Sequence, residues 1–432
     1  MTISQQLPPS SSGQAPTSEI LIEPETVGVS SARLERLRKK FHAYVDEQKL
    51  SGVSMLVTRC GKAILHDLYG YQDIENRIPI TDDTLFRLYS MTKPLTSLLL
   101  IVLFEEGRFL MFDPVADYIP EFKDVKVLKG VENGKVLLET PRRQMMIYDL
   151  FAHSSGLGNF HLLPPEVGLQ RASVLDVKKT IGEGVRNLAK IPLLFHPGEG
   201  FAYGHSHDVL GHLAEIITGD RLDKVMREKL LDPLGMDDTH FIVPAHRIKH
   251  LAQVYGMQPG KGLLNVTASV PPSGDYINPE AIMFSGGGGL VSSTADVMKV
   301  THMLLNGGVL NGVELFSPFT VNYMLQDHMP RAVKSMYETY GNTDILFKRV
   351  MGGLRMSLFF ATVADVQERA SLDAKGSFTY GGLANTLSFG DPGTGLAGTL
   401  MVQDVSTPLN LRMTNEFKLL CYQAIRCLDR PT

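Results

Sequence analysis

Cysteine is scarce in this sequence of 432 residues, which contains three: Cys60, Cys421 and Cys427. An odd and widely spaced set does not form the disulfide framework that stabilises small secreted domains. We therefore expect reduced thiols and a fold held together by its core. A chain of this length with 44% hydrophobic residues can bury a core large enough to fold without cross-links.

Long runs of one charge and long apolar stretches are also missing. The chain has 42 Lys and Arg residues against 46 Asp and Glu residues, a net charge of -4 that favours neither nucleic acid nor an anionic membrane as a partner. The first residues, MTISQQLPPSSSGQAPTSE, lack the apolar core of a secretory signal, and no later stretch is long enough to span a membrane. We expect a cytoplasmic protein that binds a small molecule, in an oligomeric state that the sequence leaves open.

The pattern of the chain predicts a short tail and one large domain. Residues 1–28 lack both periodicity and apolar mass, so we expect a flexible N-terminal tail. Strand patterns occur in residues 29–90 and 285–432, whereas residues 91–284 are mostly helical in pattern. Strands near both ends with helices between them predict an α+β fold whose sheet is assembled from the two ends of the chain.

Several local patterns predict individual elements. Residues 31–50 have apolar side chains at helical spacing behind a Ser cap, and two strands should follow around Gly61. Asn133-Gly134 is typical of the tight turn of a β-hairpin, which would interrupt the helical region. The glycine run at residues 286–289 lacks the Lys-Ser/Thr of a phosphate-binding loop, so we interpret it as a tight turn or a close backbone approach.

The strongest chemical signal is Ser90-Met91-Thr92-Lys93, the only S-x-x-K in the sequence. Pro94 is tolerated only in the first turn of a helix, so the apolar helix pattern that follows should begin close to Ser90 and place it at the positive end of the helix dipole. The i, i+3 spacing brings the Lys93 amine to the same face as the Ser90 hydroxyl. A serine needs a neighbouring base to act as a nucleophile, and a lysine in a dry pocket can supply one. Taken alone, an S-x-x-K motif is more often a serine that caps a helix, followed one turn later by a solvated lysine.

Further motifs change that balance, because together they resemble the serine β-lactamase and penicillin-binding protein superfamily. The likeness runs from about residue 30 onward and is greatest to the class C-like branch that includes family VIII carboxylesterases. Six segments match in the expected order: FRLYSMTKP (86–94), IYDLFAHSSGL (147–157), PGEGFAYGHSHDVLG (197–211), DPLGMDDTHF (232–241), GGGGLVSSTADVMKVTHMLLNGG (286–308) and FTYGGLANTLSF (378–389).

The resemblance implies an antiparallel sheet flanked by helices and packed on an all-helical region, with the active site in the cleft between them. It implies Ser90 as nucleophile, with Lys93 and with Tyr203 as the residue that passes the proton to the leaving group. The oxyanion hole would be the backbone N–H groups of Ser90 and Leu383, and each such donor contributes about 3–4 kcal/mol to transition-state stabilisation. From their closeness to the motifs, further substrate-binding residues are expected at Tyr89, Phe160, His161, His205, Phe284, Tyr380, Gly381 and Gly382.

The sequence also departs from the pattern of true β-lactamases. Their third motif begins with a lysine that binds the substrate carboxylate, whereas this chain has Tyr380 there, and their second motif ends in asparagine, whereas Tyr203 is followed by Gly204 and His205. Both changes favour neutral esters with short acyl groups over β-lactams and D-alanyl peptides. An acyltransferase, a β-lactamase or D-aminopeptidase on the same machinery, and a catalytically silent scaffold or binding protein stay open as alternatives.

Two other catalytic designs fit the sequence poorly. The stretch His205-Ser206-His207-Asp208 offers metal-binding side chains, but a dinuclear zinc hydrolase needs a different spacing between its second histidine and its aspartate. Asp208 is better interpreted as the start of a helix, and no metal or other cofactor is expected. A G-x-S-x-G elbow is absent, which excludes an α/β-hydrolase, and His153 is expected to be structural.

Overall fold

The structure is a computed structural model, which describes residues 21–159, 162–167, 176–270, 274–333, 336, 351–369 and 371–429. The α-helices of these residues, in chain order, are α1 (Ser31–Asp46), α2 (Thr92–Glu105), α3 (Val115–Tyr118), α4 (Ile147–Phe151), α5 (Ile181–Leu188), α6 (Ser206–Thr218), α7 (Leu222–Met226), α8 (Thr294–Leu305), α9 (Pro318–Met324) and α10 (Thr407–Tyr422). The strands are β1 (Gly52–Arg59), β2 (Lys62–Asp73), β3 (Ile78–Pro79), β4 (Phe86–Arg87), β5 (Val127–Glu132), β6 (Lys135–Glu139), β7 (Tyr255–Gln258), β8 (Gly262–Asn265), β9 (Val291–Ser292), β10 (Val309–Leu310), β11 (Val313–Glu314), β12 (Leu354–Met356), β13 (Ala361–Val363), β14 (Phe378–Gly381), β15 (Leu387–Gly390) and β16 (Leu396–Met401).

The central sheet joins strands from both ends of the chain. Its order is β12-β13-β14-β15-β16-β1-β2-β3, with antiparallel pairing throughout. At its middle β1 pairs with β16, in a register that runs from Ser54 opposite Met401 to Arg59 opposite Leu396. The predicted α+β class and the assembly of one sheet from two distant segments are therefore confirmed.

Helices cover both faces of this sheet. On one face α1 and α10 meet, and Phe417 packs edge-on against Phe41 at 5.9 Å and against Phe389 of β15 at 6.1 Å between ring centroids. On the other face α8 packs across β1, β15 and β16. Beyond α8, helices α2, α4, α5, α6 and α7 form the helical region around apolar side chains that include Leu98 and Leu210.

Polar side chains connect α8 to the sheet. Within this buried layer, Thr58 Oγ1 lies 2.7 Å from His302 Nε2, and Ser388 Oγ lies 2.8 Å from Thr301 Oγ1. A buried polar group that loses its hydrogen-bond partner destabilises the fold by about 1–3 kcal/mol. Sliding α8 along the sheet would separate these pairs, so both hydrogen bonds form at only one position of the helix. These hydrogen bonds therefore fix the register of α8 on the strands behind it.

The sequence predictions of local structure hold except at the N-terminal boundary. Residues 21–28, predicted as flexible, are ordered: Pro24–Val27 form a 3₁₀-helix with Val27 buried. The Arg59 guanidinium donates to the carbonyl of Gly28 at 3.0 Å and to that of Cys427 at 2.6 Å. The predicted end of the flexible tail at residue 28 is thus wrong. The Arg59 side chain, which comes from the sheet, satisfies backbone carbonyl groups in segments whose sequence shows no periodic pattern.

The hairpin predicted at Asn133-Gly134 is present, since β5 and β6 pair around these two residues, both with positive φ. A second hairpin, β7 with β8, also lies inside the helical region and was not predicted. No helix among the described residues is both long and apolar enough to cross a lipid bilayer.

The buried His302 makes stability depend on pH. Burial lowers the pKa of His302 to about 4, whereas a histidine in an unfolded chain titrates near 6.5. Because the folded pKa is the lower one, the unfolded state gains a proton that the folded state lacks as the pH falls from 6.5 toward 4, and stability is lost. We expect this residue to lower the free energy of unfolding by about 2 kcal/mol between pH 7 and pH 5. The variant His302→Gln should remove that part of the decrease, measured by urea unfolding at both pH values.

The matched control is His246→Gln, because His246 is exposed. It should keep the parent's difference in stability between the two pH values. An equal pH dependence in parent and His302→Gln would contradict a neutral, buried role for His302.

Candidate active site

Ser90 lies where the chain enters helix α2. A single 3₁₀ turn at Tyr89–Met91 leads directly into α2, which begins at Thr92 with Pro94 in its first turn. The predicted helix start close to Ser90 is confirmed. Tyr89 has φ of 47°, a left-handed conformation that is costly for a residue with a side chain and that is enriched at functional sites. The strained turn leaves Ser90 partly exposed between two buried neighbours.

The amine of Lys93 is buried beside Ser90. Lys93 Nζ lies 3.2 Å from Ser90 Oγ and donates to the Gly287 carbonyl at 2.6 Å. It also lies 4.8 Å from the centre of the Tyr203 ring. The three residues predicted as catalytic are thus brought together, although they come from separate segments of the chain.

Tyr203 is positioned by the loop that follows α4. Ala202 N donates to the His153 carbonyl at 2.9 Å, and Asn159 N donates to the Tyr203 carbonyl at 3.1 Å. The ring of Tyr203 lies 4.8 Å from the His153 ring and 6.3 Å, edge-on, from the Phe360 ring. Its backbone is therefore held on both sides while the side chain stays partly exposed.

His153 is fully buried and neutral. Burial, together with the nearby charge of Lys93, lowers the pKa of His153 to about 3. Neither ring nitrogen has a hydrogen-bond partner among the described residues. The side chain packs between the rings of Tyr203 and His207. A neutral imidazole with no hydrogen bond to Ser90 is not arranged as a Ser-His base, in keeping with its predicted structural role.

The third motif approaches the segment that contains Ser90 through a glycine. Gly382 follows β14, and its N–H donates to the Thr386 carbonyl at 2.8 Å. A Cβ on Gly382 would collide with the carbonyl oxygen of Leu88, two residues before Ser90. Only glycine allows this approach, which brings the next residue, Leu383, to the segment that carries the serine. Leu383 is half exposed, and its role with Ser90 in an oxyanion hole stays a prediction.

Two residues predicted to bind substrate lie in the core instead. Tyr380 is 1% exposed, its hydroxyl lies 2.9 Å from Thr301 Oγ1 and donates to the Val297 carbonyl at 3.2 Å, and burial raises its pKa to about 12. Alternate residues of a strand face opposite sides of the sheet, and Tyr380 faces α8. Phe284 is also 1% exposed and packs edge-on against Phe241 at 5.5 Å. Both side chains therefore lie in the core, and their contact with substrate stays a prediction.

The other predicted substrate-binding residues stay predictions. Tyr89 and His205 are nearly buried, at 5% and 6% exposed, and Gly381 is the last residue of β14. Phe160 and His161 lie outside the described residues. Phe360 was not identified from the sequence. The strand-like segment that contains it gave no sign that the ring of this phenylalanine would pack against Tyr203.

The histidines near Asp208 diverge. His205 Nδ1 lies 3.1 Å from Asp208 Oδ2, whereas His207 Nε2 lies 3.0 Å from Ser97 Oγ on α2. In the part of the chain that the structure describes, no group of three His, Cys, Asp or Glu side chains could hold a metal ion. Asp208 lies in the first turn of α6, as predicted.

Comparisons with known proteins find matches over most of the chain. The family model described as Beta-lactamase matches residues 37–420. Esterase EstB of Burkholderia gladioli is 30% identical over 301 residues, which cover 66% of this chain and 73% of that protein. Lovastatin esterase of Penicillium rubens is 29% identical over 303 residues, which cover 68% and 73%. The solved structure of EstCE1, a hydrolase with promiscuous acyltransferase activity, has a TM-score of 0.72 at 23% identity, with 92% of this chain and 99% of that chain covered, a likeness of fold.

The variant Tyr380→Phe tests the placement of Tyr380 in the core. Loss of its hydroxyl should lower the free energy of unfolding by about 1 kcal/mol, because Thr301 and Val297 lose a hydrogen-bond partner. The rate at which Ser90 reacts with a fluorophosphonate should stay within twofold of the parent's. Urea unfolding and labelling kinetics measure the two effects.

The control is Tyr323→Phe at a partly exposed tyrosine of α9, which should change neither quantity. If Tyr380→Phe reacted tenfold more slowly with the fluorophosphonate at unchanged stability, the placement of Tyr380 in the core would be contradicted and a position in the cleft supported.

Proposed function

We propose that this protein is a carboxylesterase for neutral short-chain acyl esters. The premise is that the chain belongs to the β-lactamase family and is a serine hydrolase that acts on esters. The observation that carries this proposal is the meeting of Ser90, Lys93 and Tyr203. The amine lies 3.2 Å from the hydroxyl and 4.8 Å from the centre of the phenol ring.

Acylation uses these three side chains in sequence. Ser90 Oγ attacks the ester carbonyl carbon as its proton leaves through Lys93 and Tyr203. The tetrahedral intermediate then breaks its bond to the alkoxy oxygen, which takes up the proton and departs as the alcohol. In this proposal the phenol of Tyr203, whose ring centre lies 4.8 Å from Lys93 Nζ, receives the proton and returns it. Water repeats the attack on the acyl-enzyme and releases the acid.

The developing oxyanion is stabilised by the backbone N–H groups of Ser90 and Leu383. The close approach of Gly382 to Leu88 supports this pairing, because it brings the turn after β14 beside the strained turn at Tyr89. Donors fixed in this way need no reorganisation as the charge develops.

The substrate class follows from the charges around the site. Position 380 carries no cation, and its tyrosine faces away from the cleft, so the third motif offers no charged group for a substrate carboxylate. This supports neutral esters over β-lactams, and the names of the relatives esterase EstB and lovastatin esterase support the same choice. A small-molecule ester is the proposed partner.

Acyl transfer to an alcohol is the second candidate, because an acyl-enzyme can react with any nucleophile that enters the cleft. The specific observation in its favour is the fold shared with EstCE1, described as a hydrolase with promiscuous acyltransferase activity. Product analysis with and without an added alcohol separates the two, since transfer yields a new ester and hydrolysis yields only the acid.

Substitution Ser90→Ala should abolish p-nitrophenyl butyrate hydrolysis, because no other atom of the proposed mechanism forms the acyl bond. Turnover should fall by roughly a thousandfold or more, and the butyryl adduct seen by mass spectrometry in the parent should vanish. Nitrocefin should be cleaved weakly or not at all by the parent.

The exposed Ser269 supplies the control, Ser269→Ala, which should keep turnover and adduct. An inert parent, or an active Ser90→Ala variant, would overturn the proposal.

Substitution Gly382→Ala should disable the oxyanion hole. The added methyl group must displace the turn that carries the Leu383 N–H, so we expect kcat for p-nitrophenyl butyrate to fall by roughly a hundredfold or more. The control is Gly256→Ala in β7, where a Cβ would make ordinary contacts from 3.4 Å.

Thermal unfolding of both glycine variants separates a local effect from a loss of fold. A folded Gly382→Ala variant within threefold of the parent's kcat would show that the Leu383 N–H is not needed.

A further inference from the structure

Asp208 binds the glycine segment whose carbonyl accepts a hydrogen bond from Lys93. Its side chain is almost fully buried in the first turn of α6. One carboxylate oxygen accepts from Ser285 Oγ at 2.6 Å and from Gly287 N at 3.1 Å, and the other lies 3.1 Å from His205 Nδ1. Gly287 is the residue whose carbonyl accepts from Lys93 Nζ at 2.6 Å. A single residue, Gly287, therefore links the Asp208 carboxylate to the Lys93 amine.

The glycine run allows this arrangement. A Cβ on Gly287 would lie 2.9 Å from Asp208 Oδ2, and a Cβ on Gly286 would collide with the His207 carbonyl. The Gly286 carbonyl accepts from Thr96 Oγ1 at 2.8 Å. The run is thus a close backbone approach between α2 and α6, as its sequence predicted, and Asp208 fixes its centre.

Asp208 also brings a negative charge to the site. Burial alone would raise the pKa of Asp208, but the hydrogen bond and charge of His205, the hydrogen bond of Ser285 and the charge of Lys93 outweigh it and leave the pKa below its usual value. The titratable groups that face this charge are Lys93, His205, whose Nδ1 lies 3.1 Å from Asp208 Oδ2, and the imidazoles of His153 and His207, which burial keeps neutral. Asp208 therefore brings its charge to both His205, which it contacts, and Lys93, which it reaches through Gly287.

We propose that Asp208 is a positioning residue, which holds the Gly287 carbonyl against Lys93 and whose charge sets the pH range in which Lys93 and Tyr203 exchange the proton of Ser90. The inference rests on the proposed function, because it assumes that these two side chains move that proton. Asp208 itself touches no reacting atom.

The charge predicts the direction of a pH effect. A negative charge beside a group that releases a proton in the reaction favours the protonated form of that group. In Asp208→Asn both limbs of the profile of kcat/KM against pH should therefore move to lower pH. Unit charges several ångströms apart in a protein interact strongly enough for a shift of about one pH unit. A residue with a packing role alone would lower the rate and leave both limbs in place.

The experiment measures kcat/KM for p-nitrophenyl butyrate from pH 5 to pH 10 in the full chain. The matched control is Ser285→Ala, which removes the hydroxyl that donates to Asp208 but keeps its charge; its kcat can fall, but its limbs should coincide with the parent's. Folded Asp208→Asn with unmoved limbs, or Ser285→Ala with the same shift, would overturn the inference.

Asp208→Glu keeps the charge and displaces it, so it serves where the Asn variant does not fold. Its limbs should match the parent's while kcat falls at least tenfold; full activity, or limbs at lower pH, would overturn the inference. Ser90→Ala in the same assay separates the two proposals. If Ser90→Ala is inactive and the limbs of Asp208→Asn do not move, only the role of Asp208 is rejected. If Ser90→Ala keeps its activity, the proposed function is rejected, and this inference with it.

Discussion

The buried amine of Lys93 makes the contacts on which the rest of the active site depends. Removing an ammonium from water costs several kcal/mol unless hydrogen bonds and opposite charge offset the loss. Here the partners are the Gly287 carbonyl, the Ser90 hydroxyl and the face of the Tyr203 ring, at 2.6, 3.2 and 4.8 Å. These partners belong to three segments that are distant in the sequence. Packing around one cation thus brings them to the same place.

The sheet contributes to the site through backbone contacts. Gly382 lets the end of β14 touch Leu88, and Tyr380 on the same strand reaches the opposite side of the sheet, where Thr301 of α8 lies 2.9 Å from its hydroxyl. The polar pairs between α8 and the strands fix that helix along the sheet. The position of the third motif relative to the serine therefore depends on hydrogen bonds in the core behind it.

Features that depend on neighbouring residues could be predicted from the sequence, whereas those that depend on distant packing could not. Pro94 marked the start of α2 and Asn133-Gly134 marked a hairpin, because these residues restrict the backbone by themselves. Tyr380 and Phe284 were predicted beside the cleft, whereas both are buried in the core, since the face that a side chain takes is decided by what packs on each side. The S-x-x-K spacing indicated Ser90 and Lys93, and the resemblance of ordered motifs supported that pair and added Tyr203. The contact between Asp208 and Gly287 had no local signal, because it joins two segments far apart in the chain.

The pairing of β1 with β16 affects the order in which the protein can fold. The middle of the sheet joins residues that are separated by most of the chain, so loop closure over a long distance must precede it, and such topologies fold slowly. During synthesis β1 has an unpaired edge until β16 emerges from the ribosome, and an unpaired strand edge promotes aggregation. Ser90 and Lys93 are made early, but the turn after β14 is made late. A nascent chain therefore carries Ser90 and Lys93 long before the turn after β14 can complete the site.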